Sequence, residues 1–212
     1  MDPLNDRYLK DSERTLATEF KLDQTGPQQV SAALFDIILN GCRADMMKRN
    51  IFYGQDQAKL DETKGKEHGN LLNTTQANLT GRLNQLMTSG KEFSLEKEFN
   101  LQLLHGLLGI ISECGELAEA LMNQFITGEA PDKVNVAEEV GDIQWYLAIF
   151  HRYAGVTPRE TENQNIAKLR ARYPVKFEEQ LSTNRDVKAE RKILEDNHGG
   201  GEEKLAQDSA SW

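Results

Sequence analysis

The chain has 212 residues, and 25 Lys and Arg against 34 Asp and Glu give a formal net charge of −9. At 38% hydrophobic and 28% charged residues it has the balance of a polar globular protein, long enough to bury a core without a disulfide or metal staple. The acidic balance disfavours a nucleic-acid partner. No apolar run approaches the ~18 residues of a membrane span, since Leu101 to Ile111 is broken by Gln102 and His105.

The repeated apolar spacing is i, i+3, i+4, and no segment alternates as a half-buried strand would, which predicts an all-α fold. The first helix is expected over Asn5 to about Phe20. Gly26-Pro27 interrupts it, and Pro27 suits a first helical turn. A second helix is expected from about Gln28 to Arg49 on Val30, Leu34, Ile37, Ile38, Met46 and Met47. Residues 56–98 are polar and Gly-containing, with a helical stripe on Leu71, Leu72, Leu79, Leu83 and Leu86, and read as a helical arm or a connector. The strongest helix runs from about Leu95 to Phe125 and stops at Gly128 and Pro131. Others follow over Asp132 to Tyr153, Pro158 to Arg172 and Asp186 to Asp196. The tail from Asn197, with Gly199-Gly200-Gly201, is expected to be disordered. The division this predicts is N-terminal helices over 1–55, the polar arm over 56–98, a catalytic region over 99–196 and a tail over 197–212.

The chemistry-bearing pattern is Glu113-Cys114-Gly115-Glu116 and Glu139-Val140-Gly141-Asp142. Three residues of helix turn through about 300°, so each pair points the same way, one above the other. Both pairs lie in apolar stretches, where carboxylates are costly to ionise unless something neutralises them. The 22 residues between Glu116 and Glu139 are enough to finish one helix, turn at Gly128 to Pro131 and return antiparallel. Four converging carboxylates call for a hard divalent cation, and Mg²⁺ prefers oxygen ligands while keeping waters or substrate phosphates. Glu119 continues the first stripe as a further ligand or a support to one. Glu138 lies about 100° from Glu139 and is expected in solvent. An isolated Glu-x-x-Glu is common on solvated helices; two pairs on the two most apolar helices carry more weight.

The stretch His105-Gly106-Leu107-Leu108-Gly109-Ile110-Ile111-Ser112-Glu113-Cys114-Gly115-Glu116-Leu117, followed by Glu138-Glu139-Val140-Gly141-Asp142-Ile143-Gln144-Trp145-Tyr146-Leu147, resembles the MazG-like all-α nucleoside triphosphate pyrophosphohydrolases. A third element, Asn165-Ile166-Ala167-Lys168-Leu169-Arg170-Ala171-Arg172-Tyr173-Pro174, fits the same family. The likeness spans about residues 100–196. It implies an antiparallel helical bundle and hydrolysis of a nucleoside or deoxynucleoside triphosphate to the monophosphate and pyrophosphate. By position, Glu113, Glu116, Glu139 and Asp142 would bind Mg²⁺, with Mn²⁺ as a substitute. Asn165, Lys168 and Arg172 would meet the phosphates, and Glu116 is the expected activator of water. On the residues alone, Lys168 and Arg172 also fit a solvated basic patch at a helix C-terminus.

The second helix reads as a faded copy of the fourth. At a shift of 74, Leu34, Ile37, Gly41, Ala44 and Gly54 match Leu108, Ile111, Gly115, Ala118 and Gly128, but Leu39 and Cys42 stand at the positions of Glu113 and Glu116. At a shift of 72, Glu67-His68-Gly69-Asn70 lies over Glu139-Val140-Gly141-Asp142. The expectation is a degenerate tandem copy, and with it either a homo-oligomer (dimer or tetramer) or a monomeric pseudo-dimer. Trp145 and Tyr146 flank Asp142 and face either a base or the core.

Three readings stand side by side: the pyrophosphohydrolase, a di-iron carboxylate bundle, and a catalytically silent nucleotide-binding or bundle-interaction protein. The second wants Glu-x-x-His ligands, and neither Glu113 nor Glu139 has a His three residues on. No His pattern of a zinc site occurs among His68, His105, His151 and His198. Only Cys42 and Cys114 are present and the N-terminus lacks a basic-then-apolar leader, so a cytoplasmic location is expected.

Overall fold

A computed structural model describes residues 8–12, 27–89 and 99–196 of the chain. The helix expected over Asn5–Phe20 is described only at 8–12, and the tail from Asn197 lies outside the described residues. Every regular element described is helical: α1 (Pro27–Tyr53), α2 (Gln57–Leu60), a π-helical turn (Asp61–Gly65), α3 (Lys66–Thr88), α4 (Leu101–Thr127), α5 (Lys133–Ala154), α6 (Pro158–Arg172), α7 (Glu179–Thr183) and α8 (Val187–Asp196). The all-α expectation holds among these residues.

The chain divides into two compact units: residues 19–99, and residues 1–18 with 100–212. In the 19–99 unit α1 packs against α3. Gly54, at φ 64°, ends α1 in the left-handed region that glycine adopts without strain. Asp56 then caps α2, its carboxylate accepting from Ala58 N at 3.0 Å and Lys59 N at 3.2 Å. The polar stretch after residue 56 is therefore helical through Thr88, with Leu60 as its buried anchor. At the positions aligned with the second-half carboxylates, Leu39 and Cys42 are half-buried on α1. Asp45 meets Arg49 at 2.9 Å and Lys48 at 3.0 Å, and these partners hold its carboxyl below the usual range although burial pushes it up.

The other unit is built on the antiparallel hairpin of α4 and α5. Helix α4 starts at Leu101 rather than near Leu95, because Asn100 is extended and its side chain accepts from Leu103 N at 3.1 Å. It stops at Gly128, at φ 77°. Asp132 caps α5 by accepting from Val134 N at 2.8 Å, and Gly155, at φ 67°, closes it. Thr157 and Glu160 then form a reciprocal capping box with Pro158 in the first turn of α6. These stops fall where Gly128, Pro131, Gly155 and Pro158 predict them.

Two glycines set how closely the hairpin closes. A Cβ on Gly109 would lie 2.4 Å from the Tyr146 ring, and one on Gly106 would lie 2.9 Å from Phe150. Tyr146 thus lies flat on the α4 backbone, with its ring edge-to-face with His105 at 5.7 Å. Tyr146 is a packing residue, the second of the two roles open to it. Gly109→Ala forces the hairpin apart, and a loss of about 1–3 kcal/mol is expected as an earlier urea midpoint; an unchanged midpoint would contradict this packing.

Candidate metal centre

The glycine contacts fix the register of the hairpin. Gly109 lies opposite Tyr146 and Gly106 opposite Phe150. Counting one turn further along both helices puts Glu113 level with Asp142, and the next turn puts Glu116 level with Glu139. Carboxylate oxygens of Glu113, Glu116 and Glu139 lie within 4.8 Å of one another, and among the described residues this is the group of three such side chains that can hold a metal ion. Their depth differs: Glu139 is buried at 4% exposure, Glu113 is half-buried and Glu116 is exposed. The cluster therefore opens to solvent at Glu116.

Glu139 is the electrostatic centre of the group. Burial first, then the charge of Glu116, then a hydrogen bond and charge from Glu113 push its carboxyl up from 4.5 to about 6. A buried acid that pays a desolvation cost beside two like charges is the arrangement that a hard divalent cation relieves. The donor set, all oxygen and all carboxylate, fits such an ion.

Asp142 stands apart from this trio. It is exposed and lies about 60° around α5 from Glu139, on the stripe that continues to Trp145 and Arg152. This stripe faces the helical turn at 8–12. The Tyr8 ring meets Trp145 edge-to-face at 5.9 Å. Arg152 Nη1 donates to Leu9 O at 2.8 Å and to Ser12 Oγ at 2.5 Å. Burial and then the Asp142 charge push the Tyr8 phenol up. Glu119 and Glu138 are both exposed and outside the trio.

Of the three residues on α6, Asn165 is exposed and Lys168 half-buried. Arg172 is engaged elsewhere. Its Nε donates to Glu190 Oε1 at 2.8 Å and its Nη2 to Oε2 at 2.5 Å, a bidentate fork that ties α6 to α8. Arg185 grips the same carboxylate at 2.6 Å. Between the two arginines Glu190 is held down at about 2, and it is buried at 6% exposure. Sequence reading missed Tyr8, Arg152, Arg185 and Glu190, because each works through a contact that no spacing announces.

A helical hairpin that closes on glycines and gathers three carboxylates within 4.8 Å of one another defines an all-α unit with an acidic cluster able to hold a metal ion. Residues 102–177 match the family model of the MazG nucleotide pyrophosphohydrolase domain, a span that holds Glu113, Glu116, Glu139, Asp142, Asn165, Lys168 and Arg172. The match runs from α4 through α6. No curated protein and no solved structure matches the chain.

Proposed function

We propose that the chain hydrolyses a nucleoside or deoxynucleoside triphosphate to the monophosphate and pyrophosphate, with Mg²⁺ held by Glu113, Glu116, Glu139 and Asp142 and Mn²⁺ as a substitute. The observation that carries this is the convergence of Glu113, Glu116 and the buried Glu139 within the matched segment. A divalent cation, when bound, supplies charge neutralisation and a more acidic water. Glu139 and Glu113 form the fixed floor of the site. Glu116, at the open edge, is placed to accept the proton of the attacking water. Asn165, Lys168 and Arg172 are assigned to the phosphates, where cationic donors stabilise the charge that develops. Arg172 meets a phosphate by giving up an arm of its fork, and Arg185 keeps Glu190 neutralised when it does.

No described helix is long and apolar enough to cross a membrane. Cys42 and Cys114 are free thiols, which supports a cytoplasmic location. The end of the hairpin exposes Leu121 at 62%, Phe125 at 86%, Ile126 at 70% and Val134 at 75%. An apolar surface of that kind supports a homo-oligomer.

A panel of ribo- and deoxyribonucleoside triphosphates, assayed for pyrophosphate release with Mg²⁺ and with chelator, tests the reading. Release that chelator abolishes is expected for at least one substrate; nucleotide binding with no release would favour the silent protein. The raised Glu139 carboxyl adds a pH dependence. Proton and cation compete for it, so Mg²⁺ affinity is expected to level off above about pH 7 and to fall up to about tenfold per pH unit below about 6. Calorimetric titration at about pH 5 and about pH 7.5 checks this, and equal affinities would contradict it.

A further inference from the structure

Residues 8–12 lie far outside the matched segment, yet they are fastened along α5 beside the carboxylates. Arg152 holds the far end of the turn through Leu9 O and Ser12 Oγ, and Trp145 holds the near end through Tyr8. Asp142, Trp145 and Arg152 lie on one face of α5, at spacings of three and seven residues. The trio is buried at Glu139 and opens to solvent at Glu116, and Asp142, outside the trio, is exposed on the flank of α5. Tyr8 and Trp145, both half-buried, meet on that flank, with Trp145 about 4.5 Å further along the α5 axis than Asp142.

We propose that Tyr8 and Trp145 form an aromatic wall that receives the nucleoside part of the triphosphate, making the N-terminal segment a component of the substrate site. The inference rests on the pyrophosphohydrolase reading. Carboxylates and a cation recognise phosphates only; a ring pair one turn beyond Asp142 offers apolar faces and edges that suit a sugar or base. Arg152 acts as a positioning residue, since it holds Tyr8 against Trp145 through the backbone of Leu9.

The test compares two probes bound with Mg²⁺ by calorimetry: inorganic tripolyphosphate, which lacks a nucleoside, and the α,β-imido analogues of the four deoxynucleoside triphosphates. Tyr8→Ala is expected to weaken the tightest-binding analogue about tenfold or more and to leave tripolyphosphate unchanged. Tyr8→Phe, which keeps the ring, is expected to restore most of the affinity. If Tyr8→Ala binds both probes as wild type does, or loses both equally, the wall is overturned while the pyrophosphohydrolase reading stands. If wild type binds neither probe, both fall together.

Discussion

Glu139→Gln is expected to lower turnover by at least about a hundredfold while circular dichroism and the melting transition stay near wild type. The amide keeps the shape of the side chain and removes the charge. Glu139 sits at the bottom of the trio, under Glu116 and beside Glu113, so it is the ligand that a cation loses last. Weakening the hold on a cation that would neutralise a reacting phosphate removes a stabilisation that is typically worth about two to three orders of magnitude. Burial makes the effect specific: the amide fills the same space between the helices, and it no longer brings a desolvated charge that needs a partner. The variant is therefore expected to be at least as stable as the metal-free wild type at neutral pH. Wild-type rates in a folded Glu139→Gln protein would sink the metal centre. A folding defect as large as the loss of activity would instead mark Glu139 as structural.

The second large effect is expected at Glu190. Its carboxylate lies between Arg172 and Arg185, which reach it at 2.5 and 2.6 Å. Glu190→Ala leaves the largely buried Arg172 guanidinium facing Arg185 with no counter-charge. Breaking a buried pair by removing one partner costs about 3–5 kcal/mol. The cost falls on the contact of α8 with α6, so amide exchange across Val187–Asp196 is expected to rise by roughly a hundredfold or more. The pH dependence follows from the held-down carboxyl: the contribution is present above about 4.5 and is lost as pH falls towards about 2. Exchange that is unchanged in Glu190→Ala, or protection of α8 that is independent of acid over that window, would contradict the fork. The same variant frees Arg172, so an accompanying change in nucleotide affinity would show that the fork also governs the phosphate site.

The hairpin was legible because its determinants are local. Apolar periodicity marks α4 and α5, Gly128 and Asp132 mark the turn, and the three-residue spacing of Glu113 with Glu116 and of Glu139 with Asp142 sets the carboxylates on stripes. The difference within the quartet was less visible. Glu139 and Asp142 differ by about 60° around α5, enough to bury one against α4 and turn the other to the flank. Spacing marks which side chains share a side of a helix; the close approach at Gly106 and Gly109 decides which of them meets the partner helix. Asn100 shows the same limit at a boundary. The expected start lies near Leu95, and a single side-chain cap sets the helix origin at Leu101.

Contacts between distant positions left no trace in the spacing. Arg152 reaches Leu9 and Ser12 across separations of 143 and 140 residues, and Tyr8 reaches Trp145 over a similar interval. Arg172 reads as a phosphate ligand by resemblance and as a solvated cation on the residues alone; its partner Glu190 lies on a separate helix with no periodic link to it. Residues 27–88 are a case of the opposite kind. Apolar spacing predicts the helix over 28–49, and the leucine stripe fits either an arm or a connector over 56–98, where the chain is helical to Thr88; the positions aligned with Glu113 and Glu116 are Leu39 and Cys42.

Phosphorus NMR of a nucleoside triphosphate turned over with Mg²⁺ tests the central claim most directly. Equal amounts of the monophosphate and pyrophosphate, with neither diphosphate nor orthophosphate as an early product, are predicted. Diphosphate with orthophosphate, or substrate left intact across the whole panel of bases and sugars, would contradict it.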